Sequence, residues 1–189
     1  CPSCQSELKK IEDEAVLRCL NTYVCPEQQK GRIQHFVSKN CMDIDGLGAK
    51  LVEQLIGNHL IQNISDIFYL KIADLIKIER MGEKSVNNVI EAINKSKETN
   101  LWRFIHGLGI RNIGENASKI LAQKFNTIEK LSNVTIDALI NINEVGDIMA
   151  ESILQFFDDI KNQKIIKRCI NAGLKFKDEK LQSNQLKGI

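Results

Sequence analysis

The sequence has no apolar run near the roughly 20 residues that a membrane-spanning helix needs, and no charged-then-apolar leader precedes its first motif. Positive and negative residues are also nearly balanced, because the chain has 26 Lys and Arg and 24 Asp and Glu, which gives a net charge of +2. This balance excludes the strongly basic composition that indicates nucleic-acid binding by charge alone, so any contact with a polyanion must be local. We expect a cytoplasmic protein that makes no membrane contact.

Aromatic residues are scarce as well, at 5% of the chain against a hydrophobic fraction of 43%, which is ordinary for a helix-rich protein. The length of 189 residues fits one large domain or two small ones. The chain starts inside a motif at Cys1, and residues 177–189 are polar without apolar periodicity. We therefore expect a piece of a longer protein that ends in a polar linker.

The first 25 residues hold four of the six cysteines, as C-x2-C, a 14-residue gap and C-x5-C. These four are Cys1, Cys4, Cys19 and Cys25. Four thiolates can close a tetrahedral zinc shell, because a C-x2-C turn directs both of its sulfurs toward one point. The short segments 8–11 and 15–19 predict a β-ribbon around Asp13 and Glu14, and zinc would supply the folding energy of so small a module.

Disulfides and a redox-active C-x-x-C pair are the alternatives. Disulfides do not persist in a reducing compartment, and a redox pair requires a strand before it and a helix after it. The second cysteine pair is spaced more loosely than most zinc ligands, which keeps these alternatives open. Cys41 and Cys169 are predicted core residues, and the three histidines (His35, His59 and His106) do not have the spacing of a metal or catalytic set.

From residue 40 onward a unit recurs, made of an apolar residue, a glycine and a helix with one apolar face. The aligned glycines are Gly48, Gly82, Gly114 and Gly146, with separations of 34, 32 and 32 residues. Equal spacing at this scale indicates one supersecondary unit used four times. The match of LIKIERMG (75–82) to LININEVG (139–146), 64 residues later, further indicates duplication of a pair of units.

Each unit is predicted as helix, tight glycine turn, helix, with Ser65, Thr127 and Thr135 as N-caps of the connecting helices. Apolar residues at +4 and at +7 or +8 after the glycine predict a buried stripe at helical period. In the first, second and fourth units these are Val52, Leu55, Ile56, Val86, Val89, Ile90, Ala150, Ile153 and Leu154. The third unit departs from this pattern because Ser118 occupies +4, and Ala117, Ile120 and Leu121 are predicted to form its stripe.

Glycine before a helix permits positive φ and removes the Cβ, so another backbone can approach the free amides of the first helical turn. Those amides and the positive helix end attract an anion such as phosphate, whereas a serine or aspartate cap would occupy an amide. Lys50, Lys84 and Lys119 follow within the first turns. The pattern predicts helix-hairpin-helix phosphate binding without base reading. The alternative is that the glycines only end helices.

Four strings carry a family resemblance: CPSC, HFVSKNCMDIDGLG (35–48), IERMGEKS (78–85) and RFIHGLGIRNIGE (103–115). Over about residues 1–176 the chain resembles the post-catalytic half of bacterial NAD-dependent DNA ligases. It departs mildly at Lys39 and Cys41, where the family more often has arginine and alanine. The nucleophile motif Lys-x-Asp-Gly is absent, because the sole Asp-Gly, at Asp45, has Asp43 at its −2 position.

The resemblance implies a mainly α fold, with a small Cys4 zinc module carrying a short β-ribbon (1–28), four tandem helix-hairpin-helix units (29–176) and a polar linker (177–189). It implies the DNA-binding region of an enzyme that seals nicks during replication and repair. This region would grip the phosphate backbone from the minor-groove side and help the enzyme close around the nick. Adenylation and OB-fold parts would precede Cys1, and a BRCT domain would follow the linker.

By the same resemblance, zinc would be held by Cys1, Cys4, Cys19 and Cys25, and the partner would be nicked double-stranded DNA. The implied DNA-facing residues are Gly46, Gly48, Lys50, Gly82, Lys84, Ser85, Gly109, Arg111, Gly114, Lys119 and Gly146. No catalytic residue lies in this chain, so NAD and Mg²⁺ (or Mn²⁺) would bind elsewhere in a monomeric enzyme of the bacterial cytoplasm and nucleoid. The alternatives are a helix-hairpin-helix adaptor of another repair or recombination protein, and a helical interaction domain that binds no nucleic acid.

Overall fold

The computed structural model of the protein describes residues 1–10 and 16–177. The chain begins with a two-stranded antiparallel ribbon, in which β1 (Leu8–Lys10) pairs with β2 (Leu17–Cys19) in a register that places Lys9 opposite Arg18. The predicted ribbon is thereby confirmed. Its predicted turn at Asp13 and Glu14 lies outside the described residues, as does the predicted linker beyond residue 177.

The rest of the described chain is mainly helical, and the mainly α fold class is confirmed. Its elements in order are α1 (Pro26–Val37), α2 (Ala49–Gly57), a 3-10 helix (Ile64–Tyr69), α3 (Ile72–Leu75), α4 (Glu83–Ser96), β3 (Glu98–Thr99), α5 (Leu101–Gly107), α6 (Glu115–Phe125), α7 (Ile128–Ser132), α8 (Ile136–Ile140), α9 (Asp147–Asp158), α10 (Ile160–Asn171) and β4 (Lys175–Phe176). Within the described ranges no helix is long and apolar enough to span a membrane.

One apolar core runs through the helical part. Phe36 of α1 and Phe104 of α5 are completely buried in it, with ring centroids 6.2 Å apart in an edge-to-face arrangement. Phe68 of the 3-10 helix meets Phe36 from another side at 6.0 Å. A parallel pairing of β3 with β4 ties the C-terminal end of α10 back to the middle of the chain, where Lys175 N–H donates to the Lys97 carbonyl at 2.7 Å.

The helices after the first, second and fourth repeat glycines bury the predicted stripe. In the third unit Ser118 joins Ala117 and Leu121 in the buried stripe, and the predicted Ile120 is only half-buried. Positions +4 and +7 are almost fully buried in all four units, and they are Val52, Leu55, Val86, Val89, Ser118, Leu121, Ala150 and Ile153. Ser118 fits this stripe because its hydroxyl donates to the Gly114 carbonyl at 2.9 Å, which satisfies the polar group inside the core. The +8 residues Ile56, Ile90 and Leu154 are half-buried at the edge of the core.

Side chains cap several of the connecting helices. Thr127 and Thr135 accept hydrogen bonds from the amides of Lys130 and Ala138, which confirms both as N-caps. The prediction of Ser65 as a cap is wrong. The cap is Asn63, whose side chain accepts from the Ser65 amide while Asp66 accepts from the Asn63 amide, so that Ser65 is enclosed within the 3-10 helix.

Candidate nucleic-acid interface and metal centre

A tight turn of the same shape precedes each repeat glycine. The amide of the residue before the glycine donates to the carbonyl of an isoleucine three residues earlier, at 3.3, 3.1, 3.1 and 3.1 Å in units one to four. The four isoleucines are Ile44, Ile78, Ile110 and Ile142, and all of them are buried. Each turn is therefore anchored on the core by its first residue, and its two central residues are exposed.

The third residue of each turn adopts a left-handed backbone. This position is Gly46 (φ 82°), Arg80 (65°), Asn112 (61°) and Glu144 (72°). The expectation that the repeat glycines themselves take positive φ is wrong, because Gly48, Gly82, Gly114 and Gly146 have φ between −70° and −89°. Each repeat glycine is an N-cap, and an N-cap requires extended backbone, so the left-handed residue falls two positions earlier.

The left-handed residues also join the units in pairs. A Cβ on Gly46 would lie 2.8 Å from Cγ2 of Val89 in α4, so the first turn packs closely on the helix of the second unit and requires a glycine there. In the second pair, the Asn112 side-chain amide donates to the Ser152 hydroxyl of α9 at 3.0 Å. In each pair of units, the turn of the first unit thus contacts the helix that follows the glycine of the second unit, as duplication of a two-unit block predicts.

The four helices that follow the turns begin without side-chain capping. None of the N-cap glycines of α2, α4, α6 and α9 provides a cap, and all four glycines are exposed. The first amides of a helix have no partner within the helix. Asn63, Thr127, Thr135 and Asp159 cap other helices of the same chain, whereas Cys25 before α1 and Asn100 before α5 make no side-chain cap. All four glycine turns thus share an uncapped helix start, which is not unique to them.

Nothing inside the described protein requires glycine at the four caps. A Cβ built on Gly48, Gly82, Gly114 or Gly146 meets no atom of the described structure within 4 Å. Their backbone angles are open to any residue, and serine, aspartate or asparagine would serve as caps at least as well. The missing side chain leaves room on the outer surface of the turn, beside amides that can donate to an approaching acceptor.

The predicted basic and polar residues differ in their surroundings. Lys50, Lys84 and Ser85 lie exposed in the first turns of α2 and α4, and Arg111 is exposed at the tip of the third turn. Lys119 is instead half-buried, with its Nζ 2.6 Å from Glu115 Oε1 and 4.7 Å from the centre of the Trp102 ring. This ion pair lowers the pKa of the Glu115 carboxyl.

The fourth turn has only acidic charges at its tip and at the start of its helix, unlike the first three. Its tip and the start of α9 present Glu144 and Asp147, and the residue two after Gly146 is the exposed Ile148. An open groove lined by Gly114, Asn116, Glu144 and Met149 lies between this turn and the third. The remaining predicted contact, Gly109, is exposed with φ 65° just after α5, so its backbone angle accounts for the glycine.

The four N-terminal cysteines converge on one point. Their sulfurs all lie within 4.8 Å of one another, with 3.8 Å between Cys1 and Cys25 and 3.6 Å between Cys4 and Cys19. Tetrahedral zinc with Zn–S bonds of about 2.3 Å places its sulfurs about 3.8 Å apart, so the residues fit the ion. A hydrogen bond with Ser6 is the main cause that lowers the pKa of the Cys4 thiol to about 6, and this favours the thiolate that a metal requires.

Tyr23 fastens the cysteine module to the helical part. Its hydroxyl donates to Asp159 Oδ2 at 2.6 Å and approaches Asn162 Oδ1 at 3.1 Å, while Arg32 and Lys161 lie against its ring. Burial and the Asp159 carboxylate raise the pKa of Tyr23 to about 12. Asp159 also caps α10 by accepting from the Lys161 amide at 2.7 Å, so one carboxylate serves both contacts.

We expect Tyr23→Phe to lower the free energy of unfolding by about 1–2 kcal/mol, because a charge-assisted hydrogen bond is lost and Asp159 loses a donor. Urea unfolding measured by circular dichroism tests this. Tyr69→Phe is the control, since that exposed hydroxyl donates at 3.1 Å to the uncharged carbonyl of Arg168. Equal losses in the two variants would contradict a special role for Tyr23.

The fold and both sites define a protein class: a four-cysteine zinc finger followed by tandem helix-hairpin-helix units. Residues 1–26 match the model of the NAD-dependent DNA ligase C4 zinc finger domain. Residues 40–95 match the SAM-like helix-hairpin-helix tandem, and residues 103–166 match the helix-hairpin-helix motif. The chain therefore carries the zinc-finger and helix-hairpin-helix domains of the NAD-dependent DNA ligase family.

Relatives named DNA ligase match nearly the whole chain. The relative from Halothermothrix orenii is 42% identical over 179 residues, which are 95% of this chain and 27% of that protein. Those from Clostridioides difficile and Oceanobacillus iheyensis are 43% and 45% identical over 94% and 92% of this chain, and each match covers 26% of the relative. The chain thus spans about a quarter of the length of the relatives that it matches.

Proposed function

We propose that the four glycine turns bind the phosphate backbone of duplex DNA through the open amides that follow them. The observation that carries this proposal is that α2, α4, α6 and α9 each begin at an exposed, uncapped glycine with no internal contact that demands glycine. Such amides, together with the positive end of the helix dipole, suit a phosphate oxygen. Contacts to phosphate carry no base information, so binding would be independent of sequence.

We further propose that the chain is the DNA-binding part of an NAD-dependent DNA ligase that seals nicks in double-stranded DNA during replication and repair. The names of the relatives and the zinc-finger match support this proposal. NAD and Mg²⁺ (or Mn²⁺) would bind parts of the enzyme other than this chain. The chain would help the enzyme close around the nick, acting as a monomer in the bacterial cytoplasm at the nucleoid.

Zinc is proposed as the resident metal of the cysteine cluster, with Cys1, Cys4, Cys19 and Cys25 as ligands. A shell of four thiolates leaves no open position for water or substrate, so the ion would act in folding rather than in chemistry. Its position is relevant to function because Tyr23, just before the fourth cysteine, contacts α10. The module would therefore hold the start of the helical domain in a fixed orientation.

The turns are proposed to contribute unequally. Lys50, Lys84 and Arg111 place positive charge on exposed surface beside the first three turns, and Ser85 and Gly109 are exposed as well. Lys119 would contribute less than the exposed Lys84 because Glu115 neutralises it within the protein. The fourth turn, with Glu144 and Asp147, would bind phosphate through the amides after Gly146 alone.

A pair of lysine variants tests the phosphate proposal. Lys84→Met is expected to weaken binding to a nicked duplex and to reduce the slope of log K against log salt by about 1, because one phosphate contact is lost. Lys119→Met removes the same charge and is expected to change the slope little, since its charge already pairs with Glu115. Fluorescence anisotropy between about 50 and 200 mM salt measures both slopes.

A slope that does not depend on either lysine would contradict the assignment of Lys84. A salt-independent affinity of the unmodified chain would remove the phosphate proposal altogether, and would favour a helical interaction domain that binds no nucleic acid. A nick-sealing assay on a protein that also contains the catalytic region tests the ligase proposal separately. That assay distinguishes a ligase from a helix-hairpin-helix adaptor.

A further inference from the structure

A second cluster of metal-ligating side chains lies away from the four-cysteine module. It consists of His35 on α1, Cys41 in the loop after α1, and His106 on α5. One ring nitrogen of each histidine and the Cys41 sulfur all lie within 4.8 Å of one another. Cys41 is completely buried and both histidines are half-buried, so the cluster has a protein-enclosed thiol with imidazoles at its outer side.

The His35 ring is held in an orientation that suits a ligand. Its Nε2 lies 2.8 Å from the His106 carbonyl oxygen, so an Nε2 proton donates there and Nδ1 keeps its free lone pair. The Cys41 sulfur lies 3.6 Å from Nε2 and 3.9 Å from Nδ1. Histidines that bind metals usually donate their other ring N–H to a carbonyl or carboxylate in this way, because the bond fixes both tautomer and ring direction.

A nitrogen of His106 that is unpaired in the described chain independently indicates a ligand at this cluster. Its Nδ1 is buried and has no hydrogen-bond partner among residues 1–10 and 16–177. A buried polar nitrogen is nearly always paired, so an unpartnered one calls for a ligand or for another explanation. The two rings meet edge to face with centroids 4.9 Å apart.

We propose that His35, Cys41 and His106 bind one zinc-class divalent ion, with the fourth position taken by water. A tetrahedral ion with Zn–S near 2.3 Å and Zn–N near 2.05 Å separates nitrogen from sulfur by about 3.6 Å. The Cys41 sulfur lies 3.9 Å from Nδ1 of His35, the nitrogen that keeps its lone pair, which is close to this separation. One thiolate and two imidazoles are donors for zinc, cobalt or copper rather than for magnesium or calcium. The half-buried histidines give the ion a path from solvent.

The proposed ion would connect two of the glycine turns. Cys41 lies in the segment that leads to Gly48, and His106 lies near the end of α5, which leads to Gly114. Arg103 already joins the same two segments, because its Nε donates to the Cys41 carbonyl at 2.6 Å. Metal binding would add a second link at this junction. The site shares no residue with the four-cysteine module and does not depend on DNA binding.

Metal stoichiometry tests the proposal. Metal-free chain titrated with Co²⁺ is expected to bind two equivalents, one with the spectrum of four thiolates and one with the weaker thiolate charge-transfer band of a single sulfur. Cys41→Ala is expected to bind one equivalent and to lose only the second spectrum. Cys169→Ala is the matched control, since Cys169 is another completely buried cysteine outside both clusters, and it should keep two equivalents.

His106→Gln provides a second variant that leaves the buried sulfur in place, and it is also expected to lose one equivalent. Far-UV circular dichroism of each metal-free variant verifies that the helices are retained before the titration is interpreted. One equivalent in the unmodified chain would overturn the proposal, as would two equivalents in both Cys41→Ala and Cys169→Ala. Either result would leave His35 and Cys41 as a hydrogen-bonded pair inside the fold.

Discussion

The double variant Gly48→Asp/Gly82→Asp is expected to bind nicked duplex about 100-fold more weakly than the unmodified chain, at about 1.4 kcal/mol or tenfold for each turn. Aspartate at an N-cap accepts a hydrogen bond from an amide of the first helical turn and adds a negative charge where a phosphate would approach. The loss of binding therefore comes from the turn surface itself. Fluorescence anisotropy at fixed, low salt measures it.

The same substitutions should not destabilise the fold, which separates this prediction from a simple loss of structure. Both glycines have extended backbone angles that aspartate adopts, and a Cβ at either meets no described atom within 4 Å. Aspartate is also a slightly better N-cap than glycine, by a few tenths of a kcal/mol. The thermal midpoint of unfolding is thus expected to stay the same or to rise slightly while affinity falls.

Thr127→Asp/Thr135→Asp is the matched control, because it adds the same charge at two N-caps that do not follow a glycine turn. We expect less than about a threefold effect on binding from this pair, since only long-range and screened charge is added. If both double variants weaken binding equally, net charge and not the turns controls the affinity. If neither variant weakens binding, the glycine turns do not face DNA.

The sequence repeat predicts the four units and their buried positions, but it does not predict which turn residue has a left-handed backbone. The 34, 32 and 32-residue spacing predicts the four units, and helical period predicts the buried +4 and +7 positions, because both are local consequences of a repeated backbone. The position of the left-handed residue was missed. Arg80, Asn112 and Glu144 share no chemistry that marks a positive φ, whereas an isoleucine four residues before every glycine marks the start of the turn.

Sequence patterns alone do not determine which of two neighbouring residues caps a helix, or which distant side chains meet in the fold. Asn63 and Ser65 are both good caps two residues apart, and the structure uses Asn63 because Asp66 completes a capping box with it. The four cysteines were predictable because each pair is local in sequence. His35, Cys41 and His106 were not, because 71 residues separate the two histidines and only the packing of α5 on α1 brings them together.

Removal of the proposed zinc is expected to unfold the four-cysteine module. In Cys4→Ser/Cys19→Ser the described residues before α1 should lose their fixed structure, because a small metal module derives about 10 kcal/mol or more from its ion. In its described residues that module has two three-residue strands and almost no buried apolar side chains, so little besides the ion and the Tyr23 contact holds it. Hydrogen exchange of residues 1–10 and 16–25 should approach the rate of unfolded chain.

The helical part should survive this change. Its core runs from Ile33 to Leu174 and contains none of the first four cysteines, although Cys25 is itself buried just before α1. The far-UV signal is therefore expected to fall only slightly, with the loss of the Tyr23 contact to α10 as the main cost to stability. Cys169→Ser is the control for removal of a thiol and should leave exchange in residues 1–10 and 16–25 unchanged. Protection of these residues in the metal-free double variant would show that the module folds by packing alone, and would end the assignment of zinc as its structural basis.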